Sequence, residues 1–425
     1  MRWDGVEPNE PRQGRRLSFP NPIVTSECIL NKPLFVVLAV VTLDAIGIGL
    51  IFPILPGLLR EVVGSADISL FYGVIMALFA LMQFVFSPVL GVMSDRFGRR
   101  PVLLVSIAGA AVDYLVMAFS PAFRVLLVGR AISGITSANM AVATAYISDM
   151  TEERDRAKRF GQMSACFGIG FIIGPVLGGL LGEYWLRSPF LIAALLNGIN
   201  FILAFFVLPE SRKADSPKFE WASLNPLAPM RWALTFKMLL PLVAIFFVFG
   251  LVGNIPGTIW VLYAQDRFSY DGLAVGLSLA AFGLFHALSG AFATGPLTKR
   301  FGETRTLIVG MAFDTLAFLV MAIATQSWMP FALAPLLGLG GVGQPALQSL
   351  TANQVGSDKQ GELQGVLASV ASLTSIIGPL VGTAVYFYTR ATWPGAVWIV
   401  GVSLYLLTVP ILLSRRRALA TMANA

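Results

Sequence analysis

Gly91-Val92-Met93-Ser94-Asp95-Arg96-Phe97-Gly98-Arg99-Arg100 returns in weaker form as Gly295-Pro296-Leu297-Thr298-Lys299-Arg300-Phe301-Gly302-Glu303, an offset of 204 residues (91 to 295). Gly174-Pro175 with Gly178 and Gly378-Pro379 with Gly382 give the same offset (174 to 378). Two unrelated motifs at one spacing mark an internal duplication. The first motif is a short charged stretch between long apolar runs, so the duplicated unit is a set of helices joined by polar loops.

The runs themselves identify the solvent. Of 425 residues, 56% are hydrophobic and 12% charged, with a mean hydropathy of +0.75; soluble domains carry about 25% charged residues. A hydrocarbon layer of roughly 30 Å needs about 20 apolar residues per helix. Twelve stretches qualify: 34–55, 70–91, 101–120, 123–144, 160–181 and 189–208, then 238–262, 273–297, 304–325, 329–350, 363–386 and 393–413. The expectation is an all-α membrane protein with twelve transmembrane helices in two pseudo-symmetric six-helix bundles, the parallel-repeat plan of secondary transporters with a midplane site. The domains read as a polar tail over 1–32 without a core of its own, a bundle over 33–208, a cytoplasmic linker over 209–237, a second bundle over 238–414 and a tail over 415–425.

Orientation follows from the thirty Lys and Arg residues. With both termini inside, 24 fall on the cytoplasmic side and five outside (Arg60, Arg124, Arg187, Arg267, Arg390), leaving Arg130 within an apolar run; cytoplasmic loops collect such residues. The net charge of +7 is therefore spread over many loops and does not form a nucleic-acid face. Cys28 and Cys166 imply no disulfide framework. No Gly-Lys-Ser/Thr phosphate loop and no Cys/His cluster is present, which argues against ATP-driven pumping, an enzyme or a structural metal. Oligomeric state is not legible, nor is whether residues 1–30 belong to the native start.

Five titratable side chains lie inside the spans: Asp44, Asp113, Arg130, His286 and Asp314. A charge at the bilayer centre costs roughly 2.5–3.5 kcal/mol on insertion scales, so each must face a wet cavity or a partner. Asp113 is either a proton carrier or the fixed partner of Arg130. The sole histidine is either a relay or a helix-to-helix hydrogen bond. Burial favours a neutral carboxyl and a nearby guanidinium favours the ion, so a conformational change that alters either contact can load or release a proton. Gly91, Asp95, Arg96, Gly98 and Arg99 form a tight charged turn, with Asp95 placed to pair with Arg99 or to face a helix start; it reads as a gate latch or a solvated loop. Gly170, Gly174, Pro175, Gly178 and Gly179 lay small residues along one helix, which permits close helix approach and, at the proline, bending.

Leu43 to Pro56, Ser94 to Leu104 and Gly129 to Ile135, with Asp113-Tyr114, His286, Asp314 and Pro345 to Gln348, resemble the major facilitator superfamily, and within it the tetracycline/proton antiporters. The resemblance spans Leu34 to Leu413. It implies the major facilitator fold in the cytoplasmic (inner) membrane and export of tetracycline, with protons as co-substrate and Mg2+ or a similar divalent ion carried on the drug. It also implies antibiotic resistance as the outcome and no cofactor. By position it assigns Asp44, Asp113, Arg130, His286 and Asp314 to proton coupling, the 91–99 turn to gating and the 170–179 run to the antiporter helix. Asn139, Asn254, Gln344 and Gln348 become candidates for cargo contact. The chain departs from the family at Ser137-Ala138-Asn139-Met140, Asn254, Gly290 and Gln344. An antiporter for another amphipathic drug or metabolite is therefore the alternative, and a receptor or scaffold without transport the more distant one.

Overall fold

In a computed structural model the described residues are 32–423 without 138, 212–224, 226–229, 232–233, 235–238 and 357–358. The tail over 1–31 and most of the 209–237 linker lie outside them. Hydrocarbon offers the backbone no hydrogen-bond partner, so an apolar chain that crosses it satisfies its own N–H and C=O groups as helix. The first half is α1 (Lys32–Ile51), α2 (Leu55–Val63), α3 (Ser69–Phe97), α4 (Arg99–Phe119), α5 (Phe123–Thr136), α6 (Asn139–Met150), α7 (Glu153–Tyr184) and α8 (Ser188–Val207). The second is α9 (Leu240–Phe268), α10 (Gly272–Leu288), α11 (Thr294–Phe301), α12 (Glu303–Ile323), α13 (Met329–Gly340), α14 (Gly343–Ala352), α15 (Gln360–Thr389) and α16 (Ala396–Ala423).

These sixteen pieces make twelve crossings. Ten helical runs are long and apolar enough by length and composition, Ala396–Leu412 is a shorter eleventh, and α13 with α14 supplies the last. Three stretches expected as single rods are interrupted. The first ends at Ile51 because Pro53 has no N–H to donate, and α2 restarts with Pro56 in its first turn. The fourth breaks at Ser137 between α5 and α6. The tenth breaks at Gly341–Val342 between α13 and α14. The eighth contains a π-helical turn, Ser289–Ala293, between α10 and α11, a widening that recurs at functional sites.

The duplication is visible in the packing. Within the halves α1 lies against α7 and, equivalently, α9 against α15; between the halves α7 meets α10 and α15 meets α3. The loops that carry the repeated motif turn on Gly98 at φ +102° and Gly302 at φ +77°, a left-handed backbone suited to glycine. The α7–α10 seam is tight at the end remote from these loops. A side chain at Gly179 would strike the Gly272 carbonyl, and one at Gly276 the Pro175 carbonyl. Toward the basic loops the helices part: a Cβ at Gly161, Gly168, Gly290 or Gly295 would meet nothing within 4 Å. The molecule is closed at its far end and open at its basic end.

Polar groups straddle the closed end. Arg60 of the first half donates to Gln265 at 2.9 Å and lies 4.0 Å from Asp266. Arg390 of the second half reaches Asp67 at 3.3 Å and its own Asp266 at 3.4 Å, while Tyr386 donates to Asp266 at 2.9 Å. Glu183 accepts from the Leu273 amide at 3.3 Å. Each ionic contact is partly exposed, so each contributes about 1 kcal/mol or less, which suits a seal that must reopen. Gly179→Val should hold the far ends apart. A cysteine at buried Ser278, in a background without Cys28 and Cys166, should then react with a membrane-impermeant maleimide applied at the far face at least tenfold faster than without that substitution.

Candidate functional site

Two cavities lie in the bundle, one in each half, and they are counterparts under the 204-residue repeat. The first, of about 170 Å³, includes Ile48, Phe52, Ala110, Tyr114, Arg130, Ser133 and Ser137 in its wall. The second, of about 270 Å³, presents Val252, Pro256, Asp314, Phe318, Ala334, Leu337 and Gly341 at the equivalent positions. Duplication therefore made the hollow as well as the helices. Phe52 lines both cavities, so they meet at its ring.

In the first half α1 brings Asp44 to the wall, and α6 brings Asn139, whose amide donates to the Asp44 carboxylate at 2.8 Å. The amide oxygen of Asn139 is buried without a protein partner. Arg130 also borders this cavity, but its charge is taken by Asp113. The Arg130 Nη2 and Nε groups both donate to the Asp113 carboxylate, the latter at 3.3 Å. Asp113 is 1% exposed and Arg130 6%, and the guanidinium lies over the Phe79 ring at 5.5 Å. Asp113 lines neither cavity. The arrangement is a paired ion behind the wall and an amide-bound carboxylate in it.

In the second half Asp314 from α12, His286 from α10 and Gln344 from α14 share one cavity. Tyr405 of α16 donates to Asp314 at 2.9 Å, and its ring rests on Phe249 at 5.5 Å. His286 lies beside Phe282 at 5.6 Å between ring centres. The break between α13 and α14 brings the acid and the imidazole against adjacent residues. A Cβ at Gly340 would overlap the Asp314 carboxylate, and one at Gly341 would overlap the His286 ring. Only backbone without side chains lets both groups seat there.

Asn254 and Gln348 line neither cavity. Asn254 donates to the Gly250 carbonyl at 2.8 Å and packs against Gly378; Gln348 is exposed on α14. Sequence reasoning also missed Tyr405, Phe52 and Gly341. A tyrosine near the end of an apolar run carries no pattern of its own. The one available signal was that an acid in the membrane requires a donor.

At the basic end Arg99 bonds Asp95 at 2.8 Å, Asp149 at 3.2 Å and the Ser94 hydroxyl at 2.6 Å. Glu210 accepts from the amides of Arg99 and Arg100 at 2.8 and 3.2 Å, where the helix dipole favours a carboxylate. Arg96 stacks over Phe97. The repeat keeps this joint with its charges changed: Glu303, at the Arg99 position, accepts at 3.2 Å from Asn353, at the Asp149 position. Farther into the bundle, side chains at Gly170, Gly174 or Gly178 would strike the α1 backbone at Thr42, Ile46 and Leu50, which fixes α7 against the helix that carries Asp44. Among the described residues, no three His, Cys, Asp or Glu gather as a resident metal would need.

The chain matches the Major Facilitator Superfamily over residues 37–274 and again over 242–422. It is 52% identical to the class C tetracycline resistance protein of Escherichia coli, over 90% of this chain and 96% of that one. It is 50% identical to the class G tetracycline resistance protein of Vibrio anguillarum, over 92% and 99%. The solved structure of a variant of the nucleoside transporter NupG superposes with a TM-score of 0.75 at 14% identity, covering 90% of this chain and 99% of that one, which is likeness of fold.

Breaking a buried ion pair from one side leaves an uncompensated charge and costs about 3–5 kcal/mol. Asp113→Asn or Arg130→Gln alone should therefore lower the thermal transition of the purified protein by several degrees. The double variant should recover at least half of that loss in a double-mutant cycle of melting curves; additive losses would show that the two side chains act separately.

Proposed function

Because this chain belongs to the Major Facilitator Superfamily, as the match over both of its halves establishes, we propose that it exports tetracycline from the cytoplasm in exchange for protons by alternating access. The relatives' resistance to tetracycline supports the cargo. The observation that carries the mechanism is the pair of repeat-related cavities meeting at Phe52, each with a carboxylate in its wall, in a molecule open at one end only. The 24 to 5 distribution of basic residues supports placing that open end in the cytoplasm, with both termini there.

Cargo enters from the basic end into a hollow walled by Phe52, Phe171, Phe249, Phe282 and Trp260, with Ser278, Gln344, His286, Asp314 and Tyr405 among its polar groups. A large apolar wall with few polar groups that fix orientation is the usual make-up of a site for a rigid amphipathic molecule. A divalent ion chelated by the drug belongs to the substrate, and the carboxylates of Asp44 and Asp314 are the hard oxygen donors such an ion prefers. Cargo and proton compete for Asp314: as the acid it tolerates the closed apolar cavity, and as the ion it attracts the cationic chelate. Rocking of the halves then opens the far-end seal, the cargo leaves, and a proton from outside neutralises the carboxylate for the return. Tyr405 holds the carboxylate in the cavity wall, and His286 stands beside the same α13–α14 break as a second proton acceptor in that wall.

Asn139 lies on the cavity wall at a position where the sequence departs from the family pattern, which favours as a second reading the same antiporter carrying another amphipathic drug. Everted vesicles decide between the two. With the protein present, acidifying the lumen should drive uptake of tetracycline with magnesium, and chelating the magnesium should reduce the rate at least fivefold. Asp314→Asn should reduce proton-driven uptake at least tenfold while the protein still inserts in the membrane. Uptake of other amphipathic drugs with none of tetracycline would reject the cargo, and proton-driven uptake unchanged in Asp314→Asn would remove that residue from the coupling path.

A further inference from the structure

We propose that the basic end of the second half binds the phosphate headgroup of an anionic phospholipid through Lys299, Arg300 and Arg305, with an acyl chain in the hollow beside them. The proposal rests on the reading that this end meets the cytoplasmic leaflet and is independent of the cargo.

The repeat supplies the argument. In the first half two cations of the motif, Arg99 and Arg100, are used within the protein, while Arg96 overlies Phe97 as its counterpart Arg300 overlies Phe301. Arg99 is tied to Asp95 and Asp149. Arg100 donates to the Phe205 carbonyl at 2.5 Å and lies over the Phe205 ring at 5.3 Å. A carboxylate, Glu210, sits on the amides at the start of α4. Every one of these anions is missing by sequence in the second half. Asp95 becomes Lys299, Asp149 becomes Asn353 and Glu210 becomes Ser414, while Arg305 stands where the first half has Pro101.

The remaining local acid is Glu303, and it accepts from Ser349 at 3.3 Å and Asn353 at 3.2 Å, on the side of α14. Among the described residues Lys299, Arg300 and Arg305 make no ion pair, and the Arg300 guanidinium lies 5.5 Å over the Phe301 ring. Around the third-helix start, the duplication has exchanged a loop that holds three carboxylates on its own cations and amides for one with added cations at 299 and 305 and none of those three.

Arg305, and Arg300 through the Phe301 ring that it overlies, border an apolar surface. Arg305 borders a shallow, open hollow whose other walls are Phe301, Ile308 and Val309; Phe301 and Ile308 are each 40% exposed. A solvated loop needs no such wall. A phospholipid needs both parts: guanidinium and ammonium groups that match phosphate, and next to them an apolar trough for the chain. Basic pockets on the cytoplasmic side of a membrane protein suit anionic headgroups for this reason. Free phosphate would use the cations and leave the trough unused, so the trough commits the site to a lipid.

Native mass spectrometry of the full chain, released from micelles containing phosphatidylglycerol or phosphatidylcholine, tests this. The unaltered protein should retain phosphatidylglycerol at a concentration at least tenfold lower than phosphatidylcholine. Lys299→Gln with Arg305→Gln should remove most of that preference. Ile308→Trp, which fills the trough and keeps every charge, should weaken retention at least threefold, and it covers the case in which the charge variant fails to fold. Far-end Arg124→Gln should change nothing. Equal retention of the two lipids, an unchanged preference in the charge variant, or unchanged retention in Ile308→Trp with displacement by millimolar inorganic phosphate would each overturn the proposal. None of these outcomes bears on tetracycline uptake, so this site and the transport reading fail or stand separately.

Discussion

Arg130 and Asp113 neutralise one another where neither reaches bulk water, and the other charges of the membrane interior take their meaning from that pairing. A guanidinium left alone in this position would draw on any carboxylate nearby, Asp44 across the same cavity included. With Asp113 committed to it, Asp44 answers to the Asn139 amide instead. The repeat shows how far this division goes. The counterparts of Asp113 and Arg130 are Ala317 and Ala334, and the counterpart of Asp314 is Ala110. One scaffold was copied, and the charge pair went to one copy while the cavity carboxylate with its tyrosine went to the other. Among the described residues, Asp314 in the second half therefore has no Lys or Arg paired with it, which is the arrangement in which a change of solvation can change protonation.

The seam between the halves obeys a related economy. Helices in a membrane gain little from hiding apolar surface, since the lipid is equally apolar, and close backbone contact has to supply the attraction. Gly179 against Gly272 and Gly276 against Pro175 provide that contact at the far end, and a ring of partly exposed ion pairs adds small increments. A seam built this way is tight in register and shallow in energy. The glycines at the basic end have no neighbour to meet in this state, and the same lack of side chains leaves them able to close when the far end opens.

How much of this was legible depends on whether a partner is fixed by closeness along the chain or by rotation between two helices. Asp95 and Arg99 flank the Gly98 turn four residues apart, and their nearness can be read from that number. The twelve crossings and the 204-residue offset were legible for the same reason, being properties of distance along the chain. Tyr405 reaching Asp314 across 91 residues depends on how α12 and α16 are turned about their axes. Asn254 shows the converse: it lies one turn from cavity-lining Gly257, yet faces Gly378. The breaks at Ser137 and Gly341, and the π turn at Ser289–Ala293, lie within runs long enough to read as single crossings; the polar Thr136-Ser137 pair and the glycines Gly338, Gly340, Gly341 and Gly343 stand at the breaks, but such residues also occur in unbroken membrane helices. At the Gly341 break, packing of α13 against α10 and α12 brings backbone onto the His286 ring and the Asp314 carboxylate.

The Arg99–Asp149 joint and its counterpart Glu303–Asn353 separate what the fold requires from what function adds. Both tie the start of the third crossing of a half to the end of the fourth, and both loops turn on a glycine at positive φ. The joint persists although an arginine has become an acid and an acid an amide, so its geometric role does not need a particular sign of charge. What the sign decides is what surrounds the joint. In the first half a cation at its centre gathers Asp95 and Asp149 and the loop becomes self-contained, a rigid brace at the mouth through which cargo enters. In the second half an acid satisfied by neutral side chains leaves the neighbouring cations facing outward. Two loops with one backbone therefore interact with different surroundings, one with the moving mouth of the transporter and the other with the membrane in which it moves.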